Sequence, residues 1–414
     1  HAIKLYHSHV SQEHINEKVK DVFLLNERVF GICDAWPLRK TYARFVLYMS
    51  YLSVHMVIMY MDLIEAFGNL ESMVENILDT TIATATYVLL FLLRFNKLIE
   101  RTIVTVKQEI TTCKFETLEE MRLYFAYHKI SDKFGRYAVS TSSVIAVLWY
   151  LTPMLHLLKS RSEQDNGSSS DYKLPFRVHA FLDYRNDLQN FVIMYLYQLP
   201  FMFIGLSHTT SVSILVNLVL HICGKLSILS HRIRNITTNV NVHLDSMIEE
   251  FMAAHIKLIR TVNSINSAFQ IFLLLELSQT SIRMGLLIYM MLLNPSRSFM
   301  DTVTYSLYIS IVVSLLYLYS FIGEQLSNES TKVCEAFYFT DWNNLSVRDQ
   351  KLFLLVMSGR RTLHVTAGKF YIFSLQGFIG LPFLALTKNP RTETNVIEST
   401  VLFIPEFYLP YRSL

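Results

Sequence analysis

The chain has 414 residues, of which 51% are apolar and only 17% are charged, and its mean hydropathy is +0.30. This composition excludes a protein built mainly of soluble globular domains. The formal net charge of only +3 gives no reason to expect a nucleic-acid partner.

Apolar runs recur along the chain at lengths suited to crossing a bilayer. A helix needs about 20 residues to cross a hydrocarbon core of roughly 30 Å. The runs are Ala43–Leu63, Ile77–Leu93, Ala138–Leu158, Phe191–Ser211, Ala268–Leu293, Thr302–Ile322 and Leu363–Leu386. The second of these runs is the shortest, and it contains Asp79. They predict an all-α polytopic membrane protein with seven transmembrane helices.

Lys and Arg are distributed unevenly between alternate loops. The N-terminal segment and the loops after spans two, four and six carry 25 of them, whereas the opposite set carries nine. Because cytoplasmic loops are enriched in Lys and Arg, the N-terminus is predicted to be cytoplasmic and the C-terminus extracellular. This orientation is opposite to that of a G-protein-coupled receptor. No cleavable signal peptide is expected, and since the chain begins at His1 its natural start is an open question.

Two long polar connections, Arg94–Arg136 and Lys225–Asn263, have the apolar spacing of helices. They predict that the spans continue into the cytoplasm and pack there as an anchor bundle. The expected organisation is a helical lead-in (1–42), a six-helix bundle with an outer ligand pocket (43–322), an anchor and subunit-interface helix (323–362), a seventh helix (363–386) and an atypical tail (387–414).

Few residues suggest reaction chemistry. His7, His9 and His14 cluster without a Cys or carboxylate at ligand spacing, so we expect neither a metal nor a cofactor, and we find no enzyme motif. Glu276 and Arg283 lie seven residues apart on one face of the fifth span. Charges inside spans are costly, and two interpretations stay open: a structural pair buried between helices, which we favour, or a polar stripe along a hydrated cavity.

Aromatic residues gather in the outer halves of several spans. A concave aromatic lining suits small apolar ligands that bind by dispersion and shape, whereas helix packing or an interfacial belt is the plainer explanation. Pro153 and Pro200 lie at similar depth in spans three and four, where they are expected to kink the helices. The candidate ligand-binding residues are Tyr87, Trp149, Tyr150, Met154, Tyr195, Tyr197, Phe201, Tyr305 and Tyr308.

The most informative segment is residues 323–378. Its landmarks are Gly323–Glu324, Glu329–Ser330, Val333, Ala336, Tyr338, Trp342, Leu345, Ala367–Gly368, Phe370, Ser374–Leu375 and Phe378. This order resembles the C-terminal signature of insect odorant receptors, which are seven-helix subunits of odorant-gated cation channels. The long insertion typical of the coreceptor is absent between Lys225 and Asn263, so the resemblance is to an odorant-specific subunit.

The resemblance implies an assembly and a mechanism. A subunit of this kind forms a heterotetramer with the shared coreceptor in the plasma membrane of an olfactory neuron dendrite, and a small volatile odorant opens the pore. It implies a ligand pocket among the outer halves of spans two, three, four and six. The implied subunit interface comprises Trp342, Leu345, Leu352 and Leu355, and the implied pore-helix signature comprises Ala367, Gly368, Phe370, Ser374 and Leu375.

After Phe378 the sequence departs from the family pattern. Family members usually continue the last span as a long apolar helix, whereas this chain has Pro382 and then a polar stretch. We hypothesise that the tail Thr387–Leu414 is a gene-model artefact. Two alternatives are kept: a gustatory receptor of the same superfamily, disfavoured by the sequence of the last span, and a membrane transporter, for which only Glu276 and Arg283 offer material.

Overall fold

A computed structural model describes residues 22–112, 115–163, 172–179, 181, 184, 187–235, 244–293, 299–340, 342, 347–358, 362–368 and 371–379. Several predicted features lie outside these residues, among them the histidine cluster His7, His9 and His14, the span end after residue 379, and the tail 387–414. The main helices are α1 Leu24–Gly31, α2 Ala43–Glu65, α3 Leu70–Phe95, α4 Lys97–Thr112, α5 Leu118–Glu163, α6 Leu188–Tyr197, α7 Phe203–Arg234, α8 Leu244–Leu293, α9 Phe299–Tyr338 and α10 Val347–Ser358.

Within the described residues, six helical segments are long and apolar enough to cross a membrane. They match the first six predicted spans and are Ala43–Glu65, Ser72–Phe95, Leu118–Leu155, Leu188–Arg234, Met247–Met291 and Tyr305–Tyr338. Helices α5, α8 and α9 contain 46, 50 and 40 residues. These lengths are about twice what a bilayer requires, so each of these helices is longer than a single span.

Two helix ends have identifiable local causes. Asn96 ends α3 with extended backbone angles of −79° and 103°, and α4 begins at the next residue. Pro200 lies in a 3₁₀ turn, Leu199–Met202, that separates α6 from α7. The fourth span is therefore broken where the proline predicted a kink, whereas α5 continues through Pro153.

Helix α7 forms the centre of the bundle. Almost every side chain from Ser207 to Gly224 is buried, and the helix packs against α1, α3, α5, α8 and α9. The lead-in is fixed to this core by side chains that bond to backbone. Asn26 Nδ2 on α1 donates to the Thr210 carbonyl at 2.9 Å, and Arg94 Nη1 on α3 donates to the Trp36 carbonyl at 2.7 Å. These bonds tie the lead-in to the fourth span and to the second.

The start of the seventh span differs from the prediction. We expected a helix from Leu363, but the described residues 362–368 and 371–374 form a connector hairpin whose strands are β1 (Thr366–Ala367) and β2 (Tyr371–Ile372), and residues 375–379 are helical. Thr366 pairs with Ile372 and Ala367 with Tyr371. Gly368 adopts a φ of 57°, which favours glycine at the turn. The prediction of a helix beginning at Leu363 is therefore wrong.

Candidate ligand site

The first of three aromatic groups joins α5 to α6. Tyr150 Oη donates to the Tyr195 carbonyl at 2.7 Å, Tyr195 Oη donates to the Tyr150 carbonyl at 2.6 Å, and the ring centroids lie 4.5 Å apart. Tyr172 and Phe191 complete this buried Tyr150 group. Because both hydroxyls of the pair are bonded to backbone, the group offers a ligand the faces and edges of its rings.

The second group joins α5 to α9. The rings of Trp149 and Tyr308 meet edge to face with centroids 6.4 Å apart, and Trp149 Nε1 donates to the Pro175 carbonyl at 3.0 Å. Trp149 is 41% exposed. Tyr305 lies beside Tyr308 in an apolar cluster contributed by α3 and α8, namely Val74, Leu78, Leu286, Leu287 and Met290. This Trp149 group therefore lies where spans two, three, five and six meet.

The third group surrounds a histidine that the sequence analysis did not select. His55 on α2 is fully buried, and its ring centroid lies 4.1 Å from that of Phe201 and 5.6 Å from that of Tyr197. Tyr51 Oη donates to the Tyr197 carbonyl at 2.9 Å. A histidine within an apolar run was the available signal, but its aromatic neighbours come from the fourth span, which sequence spacing does not reveal.

Two other candidates lie apart from these groups. Tyr87 on α3 shares a hydrogen bond of 2.9 Å with Ser53 on α2. Met154 on α5 is 42% exposed. The nine predicted residues thus do not form one cluster.

A short irregular segment, residues 172–179, lies beside all three groups, and we call it the outer strap. Gln198 holds it by two bonds, because its Oε1 accepts from the Phe176 amide at 3.1 Å and its Nε2 donates to the Phe176 carbonyl at 2.8 Å. Arg177 Nε donates to Asp62 Oδ2 on α2 at 2.9 Å. The strap is therefore bonded to the first and fourth spans. These contacts join distant parts of the chain, and no sequence motif predicts them.

A central polar cluster lies deeper in the bundle. It contains His208 from α7 and Glu276, Gln279 and Arg283 from α8, all less than a tenth exposed. His208 Nε2 lies 3.3 Å from Glu276 Oε2, Gln279 Nε2 donates to the same oxygen, and Arg283 Nη2 lies 3.8 Å from Glu276 Oε1. The structure thus agrees with the favoured interpretation of Glu276 and Arg283 as a buried pair, with a partner on a neighbouring helix.

A second ionic cluster is centred on Glu109 of α4, a helix that is not one of the candidate spans. Glu109 accepts from His221 Nε2 at 3.3 Å and from Lys257 Nζ at 2.8 Å, and Tyr124 Oη lies 2.8 Å from His221 Nδ1. Burial alone would raise the pKa of Glu109, but the bonds and charges of His221 and Lys257 outweigh it and lower the pKa to about 2. One carboxylate therefore ties α4 to α7 and α8.

We expect Glu109→Gln to lower the melting temperature of the purified protein at pH 7. The pKa of Glu109 lies below the unfolded value of about 4.3, so its stabilisation is complete above that pH and is lost as the pH falls towards 2. The difference between wild type and variant should therefore shrink across this window. Glu100→Gln, at an exposed position of α4, is the control, and a constant difference for Glu109→Gln would contradict the assignment.

The C-terminal signature residues lie around the connector hairpin. Ser374 Oγ accepts from the Gly377 amide at 3.0 Å and so caps the start of the following helix, whose first residue is Leu375. Ala367 and Gly368 lie in the hairpin rather than in a pore helix, which corrects their predicted place. Phe370 lies outside the described residues.

The predicted subunit-interface residues are only partly described. Trp342 is half-buried against the core. On α10, Phe353 is buried and contacts Phe337 with ring centroids 5.8 Å apart, whereas Leu354 is 51% exposed. Helix α10 thus presents one apolar face to α9 and keeps apolar surface on another. Leu345 and the side chains of Leu352 and Leu355 lie outside the described part of the chain.

Comparison with known proteins gives concordant results. The family model described as 7tm Odorant receptor matches residues 69–381. Odorant receptor 82a of Drosophila melanogaster is 21% identical over 269 residues, which cover 63% of this chain and 67% of that protein. The family match ends close to Phe378, where the sequence departs from the expected pattern.

Solved structures share the fold. The insect olfactory receptor OR5 from Machilis hrabei has a TM-score of 0.72 and 15% identity, covering 91% of this chain and 97% of that one. The same receptor in complex with eugenol has a TM-score of 0.72 and 14% identity, covering 90% and 97%. The family whose model matches is a receptor family and not an enzyme family. With a family model that matches most of its length, the chain belongs to the odorant receptor family of multi-pass membrane proteins and is an odorant receptor.

Proposed function

We propose that this receptor is the odorant-selective subunit of a heteromeric cation channel, assembled as a heterotetramer with the shared coreceptor. The last helix of each subunit lines the pore, and odorant binding opens it without a second messenger. The exposed apolar surface of α10, including Leu354, supports a subunit contact there, because soluble helix surfaces are otherwise polar. The excess of Lys and Arg in alternate loops supports a cytoplasmic N-terminus and an anchor bundle on that side.

We place the ligand between the Tyr150 group and the Trp149 group, beneath the outer strap. The observation that carries this proposal is the reciprocal bonding of Tyr150 and Tyr195, which leaves ring surface rather than free hydroxyls for a ligand. Such a lining selects small apolar molecules by shape and dispersion. A related receptor has been solved with eugenol, a small aromatic molecule that suits the same lining. The localisation we propose is the plasma membrane of an olfactory neuron dendrite.

We expect Tyr150→Ala and Tyr308→Ala to change the order in which odorants activate the channel. Removing a ring that contacts ligand costs about 1.5–3 kcal/mol, which corresponds to roughly a tenfold to hundredfold loss of sensitivity for ligands that use it. The measurement is odorant-evoked current in cells expressing the receptor with a coreceptor subunit, across a panel of volatile aromatic and terpenoid compounds that includes eugenol.

Two controls separate ligand contact from packing. Tyr137→Ala removes a ring from α5 at a position that is 72% exposed, so it should leave the odorant order unchanged. Tyr150→Phe keeps the ring and loses only the bond to the Tyr195 carbonyl, so it should alter stability more than selectivity. If both alanine variants reach the surface normally and keep the wild-type odorant order, the aromatic groups serve helix packing and the proposed site is wrong.

A further inference from the structure

We propose that Asn266, with Ser330 and Glu324, latches the connector hairpin to α8 and α9, and that these positioning residues fix the place where the last helix begins. The proposal concerns the coupling between the receptor bundle and the pore, so its gating part rests on the proposed channel function. Its structural part rests on bonds and contacts among described residues alone.

Asn266 bonds to the backbone of residues 364–366 on the side that faces away from β2. Its Nδ2 donates to the His364 carbonyl at 2.8 Å, and its Oδ1 accepts from the Thr366 amide at 3.3 Å. On the opposite edge of the same strand, the Phe373 amide donates to the Val365 carbonyl at 3.0 Å. An asparagine amide has one donor side and one acceptor side, as a peptide group has. Asn266 therefore occupies the position of a third strand and satisfies backbone groups that a two-stranded hairpin leaves open.

Helix α9 holds the two ends of the same hairpin. Ser330 Oγ accepts from the Leu363 amide at 3.0 Å, where the connector enters, and Glu324 Oε2 accepts from the Leu375 amide at 3.3 Å, where it leaves as helix. Ser330 and Glu324 lie six positions apart on α9, so the connector runs along the helix. Both ends of the connector are thus bonded to one rigid element, and its middle is bonded to another.

The connector also contacts the sixth span through a buried aromatic side chain. Phe373 is almost fully buried in the connector, and its ring centroid lies 5.6 Å from that of Tyr319 on α9. A buried ring contact therefore joins α9, within the sixth span, to the connector two residues before the last helix begins at Leu375. A displacement of α8 against α9 would be delivered to that helix start through these contacts.

The structural part is tested by amide hydrogen exchange on the purified full-length receptor. Asn266→Ala removes both bonds to the connector hairpin, so the amides of residues 363–377 should exchange roughly threefold to tenfold faster. Asn263→Ala is the matched control, because Asn263 lies one turn earlier on α8 and is exposed. Should Asn266→Ala fail to fold, Asn266→Asp keeps the acceptor for the Thr366 amide and loses only the donor. Unchanged exchange in the variant that folds would overturn the latch.

The gating part is tested with the same variants expressed with a coreceptor subunit. At equal surface expression, loss of the latch should change the current in the absence of odorant and the maximal current evoked by eugenol or the strongest panel compound. The odorant order should stay as in wild type, because Asn266 is remote from the aromatic groups. Faster exchange with normal gating would overturn the positioning role. Absence of current from the wild type would refute the proposed channel, whereas the exchange result would still decide whether the latch exists.

Discussion

Glu276→Ala is expected to remove most of the receptor from the cell surface. Glu276 is 1% exposed and Arg283 is 6% exposed, and the carboxylate is what balances the guanidinium within this cluster. Leaving one member of a buried ion pair without its partner costs about 3–5 kcal/mol, which is a large share of the roughly 5–15 kcal/mol that stabilises a folded domain. Surface biotinylation and the melting temperature of detergent-purified protein measure the effect.

A double variant shows whether charge is the cause. Glu276→Gln combined with Arg283→Met keeps side chains of similar length and buries no net charge, so it should restore much of the expression that Glu276→Ala loses. Ser278→Ala, at an exposed position on the same helix, should behave as wild type. A double variant as defective as Glu276→Ala would show that bonds from His208 and Gln279 to the carboxylate matter more than the charge pair.

Gly323→Ala is the second substitution for which we expect a large effect. A Cβ at this position would lie 2.2 Å from the Phe373 carbonyl oxygen and 3.1 Å from the Phe373 Cβ. Since the obstacle is backbone, α9 and the connector hairpin must move apart, at a cost of about 1–3 kcal/mol or more. The gain in helix propensity from replacing glycine, about 1 kcal/mol or less, does not offset this. The melting temperature should fall by several degrees, with reduced expression.

A matched glycine isolates the steric cause. Gly285 lies in α8, and a Cβ added there would meet nothing within 4 Å. Gly285→Ala should therefore leave the melting temperature unchanged or raise it slightly. Equal effects of Gly323→Ala and Gly285→Ala would mean that the close approach of α9 to the connector is not a determinant of stability.

The spans were predictable because each is a long apolar run, and the bilayer requirement for internally satisfied backbone leaves helices as the natural solution. The same logic failed after Leu363. Apolar content there does not distinguish a buried hairpin from a membrane helix, and the β-branched residues Val365 and Thr366 with Gly368 were the local signal for strands and a turn. Ser374 was a readable cap, but it lies eleven residues beyond the predicted start.

The candidate site was less predictable than the fold. Residue type selected Tyr150 and Tyr308 as candidates, but nothing in the sequence brings His55 to Phe201 or the outer strap to Gln198, because these contacts join distant parts of the chain. Similarly, Gly323 belongs to the C-terminal signature, but only its close approach to the Phe373 backbone explains why a glycine is required there. Long-range partners depend on how helices pack, and one sequence leaves that open.

The buried side chains of α7 pack against helices of the same chain. The core of each subunit therefore does not depend on contacts with a neighbouring subunit. In the proposed heteromer, residues around the ligand can therefore be substituted without replacing any residue of the surface that meets another subunit. One common partner can then serve many such receptors, and their ligand sites are free to diverge in evolution while the rules of assembly stay the same.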